Sequence, residues 1–279
     1  MASDEHDETD GSRLRERYGP WAVIAGASEG MGADYARMLA AQGVNCVLVS
    51  RRQAVLDELA QGLEGAYGIQ TRAIGLDLSE PDAARRLFRL TADLEVGLYI
   101  SNAGADPRGS RFLDSPIDDW LTLLQRNTVT VMGACHHFAA AMKQRGRGGI
   151  LIMASGAGLG GGSRIAVYAA TKAFEISFAE SLWSELGPHG VDVTCLVAPG
   201  TDTPALRRLL ERSGRKPEGL YASEEVARTG LRELGRGPTY IFPFGAVTPE
   251  MAAAASKARR DFVEMADLAS AAMFYGDSD

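Results

Sequence analysis

Short runs of Val, Ile and Leu alternate with amphipathic helical patterns along most of the chain, and this alternation restricts the fold more than any other feature. Trp21–Ala25, Val44–Val49, Ile69–Ile74, Val96–Ile100, Ile150–Ala154, Val191–Val197 and Thr239–Phe242 read as seven strands. Between the first two, Tyr35, Met38 and Leu39 share one helical face that stops at Gly43. Val55, Leu56, Leu59 and Leu63 mark a second helix, residues 118–141 one long uninterrupted helix, and 168–186 another that ends at Gly187-Pro188. Ser79-Glu-Pro-Asp82 predicts a further helix entry with Ser79 as its cap. Strands separated by helices pair in parallel through right-handed crossovers, with helices on both sheet faces. The expectation is one doubly wound α/β domain over residues 13–279, built on about seven parallel strands.

Composition removes several function classes. No apolar run approaches the ~20 residues that cross a bilayer. Residues 1–12 hold five acids and no Lys or Arg, which predicts a disordered acidic tail rather than a targeting peptide. Without them the net charge falls from −7 to −2, too little positive charge for a nucleic-acid surface. Cys46, Cys135 and Cys195 lack metal-like spacing and read as small buried apolar groups, as in a cytoplasmic protein. His6, His136, His137 and His189 form no metal pattern either.

In doubly wound sheets, ligands bind where the strands end at their carboxyl edge. Gly26-Ala-Ser28-Glu-Gly30-Met31-Gly32 follows the first strand and opens the first helix. Such glycines let backbone approach a pyrophosphate at a helix N-terminus. The second strand ends in Ser50-Arg51-Arg52, where an NAD site usually carries an acid. Guanidinium groups match a 2′-phosphate, so NADP(H) is favoured over NAD(H), although Glu29 in the glycine turn opposes this if it points inward. Asp77 with Leu78 closes the third strand, placed to accept an adenine amino group, and Ser101-Asn102-Ala103-Gly104 closes the fourth with small residues.

Tyr168 and Lys172 stand four residues apart, and Ser155 precedes them by thirteen. On a helix the phenol and the ammonium share one face. A cation beside a phenol favours its phenolate, which predicts a tyrosine acid/base next to a serine that bonds the substrate oxygen.

These motifs, taken together, resemble the short-chain dehydrogenases/reductases, whose dinucleotide-binding domain is of the Rossmann type. Gly26-x-x-x-Gly30-x-Gly32, Asp77, Asn102-Ala-Gly104, Asn127, Ser155, Tyr168-x-x-x-Lys172 and Pro199-Gly200 follow that family's order and spacing over roughly residues 18–245. Leu14–Ile24 and Val47–Arg52 are similar to its hydroxysteroid dehydrogenase and long-chain 3-ketoacyl reductase branch. The resemblance implies that Ser155 polarises a carbonyl, that Tyr168 moves the proton, and that Lys172 tunes Tyr168 and binds the ribose. It implies that Asn127 holds a water linking Lys172 to solvent. It also brings Ser28, Met31, Pro199, Gly200 and either Thr201 or Thr203 to the cofactor, with Thr203 ahead for the carboxamide. Ala25 and Ser101 replace the usual Thr and Asn, which changes supporting hydrogen bonds.

The implied activity is interconversion of a ketone and a secondary alcohol with NADPH. A 3-ketoacyl thioester reductase and a catalytically silent cofactor-binding regulator are the alternatives. The glycines at 156–162 predict a roomy pocket for a bulky apolar ketone, steroid-like or aromatic. Leu206, Leu209 and Leu210 form either a lid, within a segment near 201–222, or a peripheral helix. The basic stretch Arg207–Lys216 is either a solvated face or a site for an acidic tail. The segment near 248–275 closes either the pocket or a subunit interface. The family's pairing of long helices implies a homodimer or homotetramer.

Overall fold

The computed structural model describes residues 13–106, 108–212, 214 and 219–274; the predicted acidic tail, Arg215, Lys216 and Tyr275 lie outside the described residues. Seven strands form one sheet: β1 (Trp21–Ala25), β2 (Asn45–Ser50), β3 (Thr71–Gly75), β4 (Val96–Ser101), β5 (Gly148–Ser155), β6 (Val191–Ala198) and β9 (Thr239–Ile241). Their spatial order is β3-β2-β1-β4-β5-β6-β9. Every pairing is parallel. All carboxyl ends therefore emerge along one edge, and the order reverses beside β1 and β4, where a ligand crevice opens. A two-stranded parallel pair, β7 (Thr201–Asp202) with β8 (Tyr221–Ala222), sits beyond β6.

The helices are α1 (Arg13–Tyr18), α2 (Gly30–Ala41), α3 (Gln53–Tyr67), α4 (Ala83–Thr91), α5 (Ile117–Leu124), α6 (Thr130–Arg145), α7 (Ala166–Leu186), α8 (Pro204–Arg212), α9 (Ser223–Glu233) and α10 (Pro249–Phe274). Strand residues alternate between two cores because successive Cβ atoms point to opposite faces. Val23, Val47, Tyr99 and Ile152 pack with Leu87, Phe138 and Ile176 from α4, α6 and α7. Ile24, Leu48, Ile100 and Leu196 pack with Leu39, Leu56 and Val226 from α2, α3 and α9. The three cysteines are buried free thiols.

Two local expectations change. The helix read over 118–141 is α5 and α6 separated by a π turn at Gln125–Val129. An apolar periodicity cannot register one inserted residue of this kind, and such turns mark functional positions. Ser79 does not cap α4; Asp82 takes that position, and Ser79 donates its N–H (2.9 Å) and hydroxyl (2.6 Å) to Asp77 Oδ1. The charged acceptor two residues upstream holds the serine in a turn instead.

Beyond the sheet edge, α10 is fixed to α7 by an ion pair between the half-buried Arg259 and the buried Glu180. Arg259 donates through Nη2 to Glu180 at 2.8 Å, and Thr239 Oγ1 donates to the same carboxylate at 2.6 Å. Arg259→Ala leaves that carboxylate without its cation and is expected to destabilise the protein by about 3 kcal/mol, measurable by urea unfolding. Met251, Phe262, Met265, Leu268 and Met273 on α10 are exposed, so these side chains do not close the protein's own core. Among the described residues no helix is long and apolar enough to cross a membrane.

Candidate active site

The glycine turn links β1 to α2 in a conformation that only glycine adopts freely. Gly26 has φ +85° and Gly30 φ +54°. A Cβ on Gly26 would lie 2.9 Å from the Ala103 nitrogen, and one on Gly32 would lie 2.0 Å from the Gly26 carbonyl oxygen. Asn102 holds the turn against β4, donating from Nδ2 to Gly26 O at 3.1 Å. Its Oδ1 is buried with no partner. Bare backbone at a helix N-terminus, beside an unsatisfied amide oxygen, fits the pyrophosphate and adenosine half of a dinucleotide.

The strand ends beside it carry the charge. Arg51 is largely exposed, with its guanidinium 3.9 Å from Asp77. Arg52 donates to Ser28 Oγ at 2.8 Å and to Glu29 Oε2 at 2.7 Å. Arg208 of α8 pairs with the other oxygen of Glu29. Burial tends to raise the Glu29 carboxyl, but hydrogen bonds from Arg208 and Arg52 outweigh it and hold the group below its ordinary range. Glu29 therefore faces two arginines rather than an open phosphate position. Asp77 is also lowered; burial opposes the shift, while Ser79, Arg51 and Arg126 drive it. Leu78 is buried, and its carbonyl accepts from Thr130 at 2.9 Å.

Ser155 ends β5, and its Oγ accepts from the Ala157 N–H at 3.2 Å. Accepting there leaves the hydroxyl proton available for donation. Tyr168 and Lys172 stand on the same face of α7, as their spacing predicts, with Nζ 5.8 Å from the ring centroid. Lys172 is 3% exposed, and its ammonium donates to Met153 O at 2.8 Å. Asn127 is fully buried because the π turn directs it inward. Its Nδ2 donates to Gly104 O at 3.1 Å and to Thr171 Oγ1 at 3.0 Å, so it joins the β4 end to α7. Lys172 also lies close to this junction, since a Cβ on Gly104 would come within 2.7 Å of Nζ.

The lid threonines divide. Thr201 is buried and donates to Pro199 O at 2.9 Å. Thr203 sits against the glycine turn, with its methyl 3.0 Å from where a Gly30 Cβ would be, and its Oγ1 caps α8 by accepting from Leu206 N. Met31 is half-buried one residue beyond Gly30. Leu206, Leu209 and Leu210 are half-buried on α8. The glycine loop after Ser155 is less empty than its composition implies. The space beside Gly156 holds the Phe244 ring, 2.8 Å from a built Cβ, and Gly158 lies against the Lys172 carbonyl; Gly160 and Gly161 are open.

Glu175, Arg126 and Phe244 escaped the sequence reading as site residues, and Arg208 was read within the basic stretch rather than against the glycine turn. Only Glu175 carried a signal, three residues beyond Lys172 on the same helix. A cavity of about 330 Å³ between β9 and α10, lined in part by Thr194, Tyr240 and Arg260, contains none of the predicted site residues.

A doubly wound sheet with a glycine turn, Ser155, Tyr168 and Lys172 at its carboxyl edge defines an oxidoreductase. The short chain dehydrogenase family profile matches residues 20–214, and the chain belongs to that family. It is 33% identical over 231 residues to a 7beta-hydroxysteroid dehydrogenase of Clostridium sardiniense, covering 82% of this chain and 87% of that one. It is 37% identical over 194 residues to a very-long-chain 3-oxoacyl-CoA reductase of Podospora anserina, covering 67% of this chain and 57% of that protein. A short-chain dehydrogenase from Sphingobium yanoikuyae in complex with NADPH superposes with a TM-score of 0.76 at 26% identity, covering 88% of this chain and 95% of that one.

Proposed function

We propose that the protein reduces a bulky apolar ketone to a secondary alcohol with NADPH, and catalyses the reverse reaction. The observation that carries the cofactor preference is the pair of guanidinium groups that close β2, Arg51 and Arg52, in a Ser50-Arg51-Arg52 turn that itself has no acid, with Glu29 and Asp77 as their neighbours from other elements. The substrate class rests on the half-buried leucines of α8, the Phe244 ring over Gly156 and the kind of substrate named for the hydroxysteroid relative. The dinucleotide would be held by Gly26, Ser28, Gly30, Met31 and Gly32 at its pyrophosphate. Asp77, Leu78, Asn102, Ala103 and Gly104 would hold its adenosine side, and Pro199, Gly200, Thr201 and Thr203 its nicotinamide end.

When bound, the nicotinamide supplies or takes up a hydride. Ser155 donates its free hydroxyl proton to the substrate oxygen and polarises the carbonyl. Tyr168 gives its phenolic proton to that oxygen, or receives it in oxidation. Lys172 stabilises the phenolate through its positive charge. Asn127 fixes the junction of β4 and α7 on which Lys172 rests. Exposed Ile117, Leu121, Leu124 and Met132 on α5 and α6 support pairing of the long helices in a homo-oligomer.

The test is an NADPH-oxidation screen across steroid, aryl and acyl substrates. A free bulky ketone is expected to be reduced with a higher kcat/KM than a 3-ketoacyl thioester; the opposite order favours the thioester reading. Arg51→Ala combined with Arg52→Ala is expected to lower kcat/KM for NADPH ~100-fold while leaving NADH within a few fold, the loss of two charge-assisted phosphate contacts. Equal losses with both cofactors would remove the case for a 2′-phosphate site.

A further inference from the structure

Glu175 takes no part in the steps above, yet it is the carboxylate paired with Lys172. It stands one helical turn beyond the lysine on α7 and is 1% exposed. Lys172 Nζ donates to its Oε2 at 2.7 Å. The ammonium is thus held between Met153 O, Glu175 and the backbone of Gly104, with little freedom to turn. A carboxylate this close also opposes the field that a cation projects onto its neighbours. We propose that Glu175 is a positioning residue for the reaction: it fixes the Lys172 ammonium and offsets part of its charge at Tyr168. This rests on the reading of Tyr168 as the proton-transfer group.

The groups facing Glu175 are few. Lys172 approaches from α7, and Arg126 acts on it from the π turn. Arg126 is itself anchored by donating to Ala105 O at 2.7 Å. Cys135 of α6, Cys195 of β6 and Tyr99 of β4 feel the same carboxylate. Burial raises all three above their ordinary values, so they stay neutral and add no competing charge. Burial likewise lifts the Glu175 carboxyl to about 7, against the pull of Lys172 and Arg126. The offset is therefore present above that pH and fades below it, as the carboxylate takes up a proton.

Two measurements test this. One is the pH midpoint of the tyrosinate absorbance that Tyr168→Phe removes. The other is the pH midpoint of alcohol oxidation with NADP⁺. Glu175→Gln keeps an oxygen to accept from Lys172 but carries no charge. Both midpoints are expected to fall by about one pH unit. Glu175→Asp draws the carboxylate back by one methylene and is expected to lower them by a smaller amount, which decides the matter if the glutamine variant does not fold. Midpoints that stay put or rise in a folded variant would overturn the proposal, including when stability alone is lost. Should the wild type turn over no carbonyl, the reductase reading fails by itself and the absorbance titration still decides the role of Glu175.

Discussion

Tyr168→Phe is expected to reduce turnover ~1,000-fold or more in both directions, the contribution of a positioned proton donor. The affinity for NADPH, measured by fluorescence titration, is expected to change by no more than a few fold. The ring remains on α7, and the bonds of Lys172 run to Met153 and Glu175 rather than to the phenol. A substitution that deletes one oxygen and leaves packing intact thus separates chemistry from binding. Retained turnover would refute the assignment of Tyr168 as the acid. A large loss of NADPH affinity would move its role from proton transfer to cofactor binding.

Gly32→Ala is expected to have a comparably large effect by the opposite route. A methyl group at this position would meet the Gly26 carbonyl oxygen at 2.0 Å and Asn102 Nδ2 at 2.8 Å. Both are parts of the turn that would cradle the pyrophosphate, so the turn must open to admit the Cβ. NADPH affinity is expected to fall ~100-fold, equivalent to about 2.7 kcal/mol. Thermal unfolding is expected to show a smaller loss, of about 1–3 kcal/mol, typical of overpacking at a tight contact. Unchanged NADPH affinity in a folded Gly32→Ala protein would show that the dinucleotide does not lie against this turn.

Most of the fold was legible because buried parallel strands leave a strong mark. Val191–Val197 and Ile150–Ala154 are nearly continuous apolar runs, as strands covered on both faces must be. The predicted and observed strands agree to within about two residues at each end. The placement of Ser155, Tyr168 and Lys172 was equally legible, since two lie at helical spacing and the third ends a strand. The π turn was not, because Leu121, Leu124 and Val131 keep an apolar pattern across it while Asn127 rotates inward. The glycines after Ser155 misled in part: composition reports missing side chains, and it does not report that Phe244 and α7 fill the space.

The local code of the chain determined the strands, the helices and the identity of the groups proposed to do chemistry. Propensity, periodicity and the φ demands of Gly26 and Gly30 act over a few residues and need no distant partner. Only the tertiary structure decided the direction of the charges. Glu29 turns to Arg52 and to Arg208, 179 residues away, and Asn127 joins Gly104 to Thr171. Glu175 is buried beside Lys172 on α7, where a lone carboxylate or ammonium would cost far more than the hydrogen-bonded pair. Such pairings depend on which surfaces the sheet order brings together, a property of the whole chain rather than of any segment.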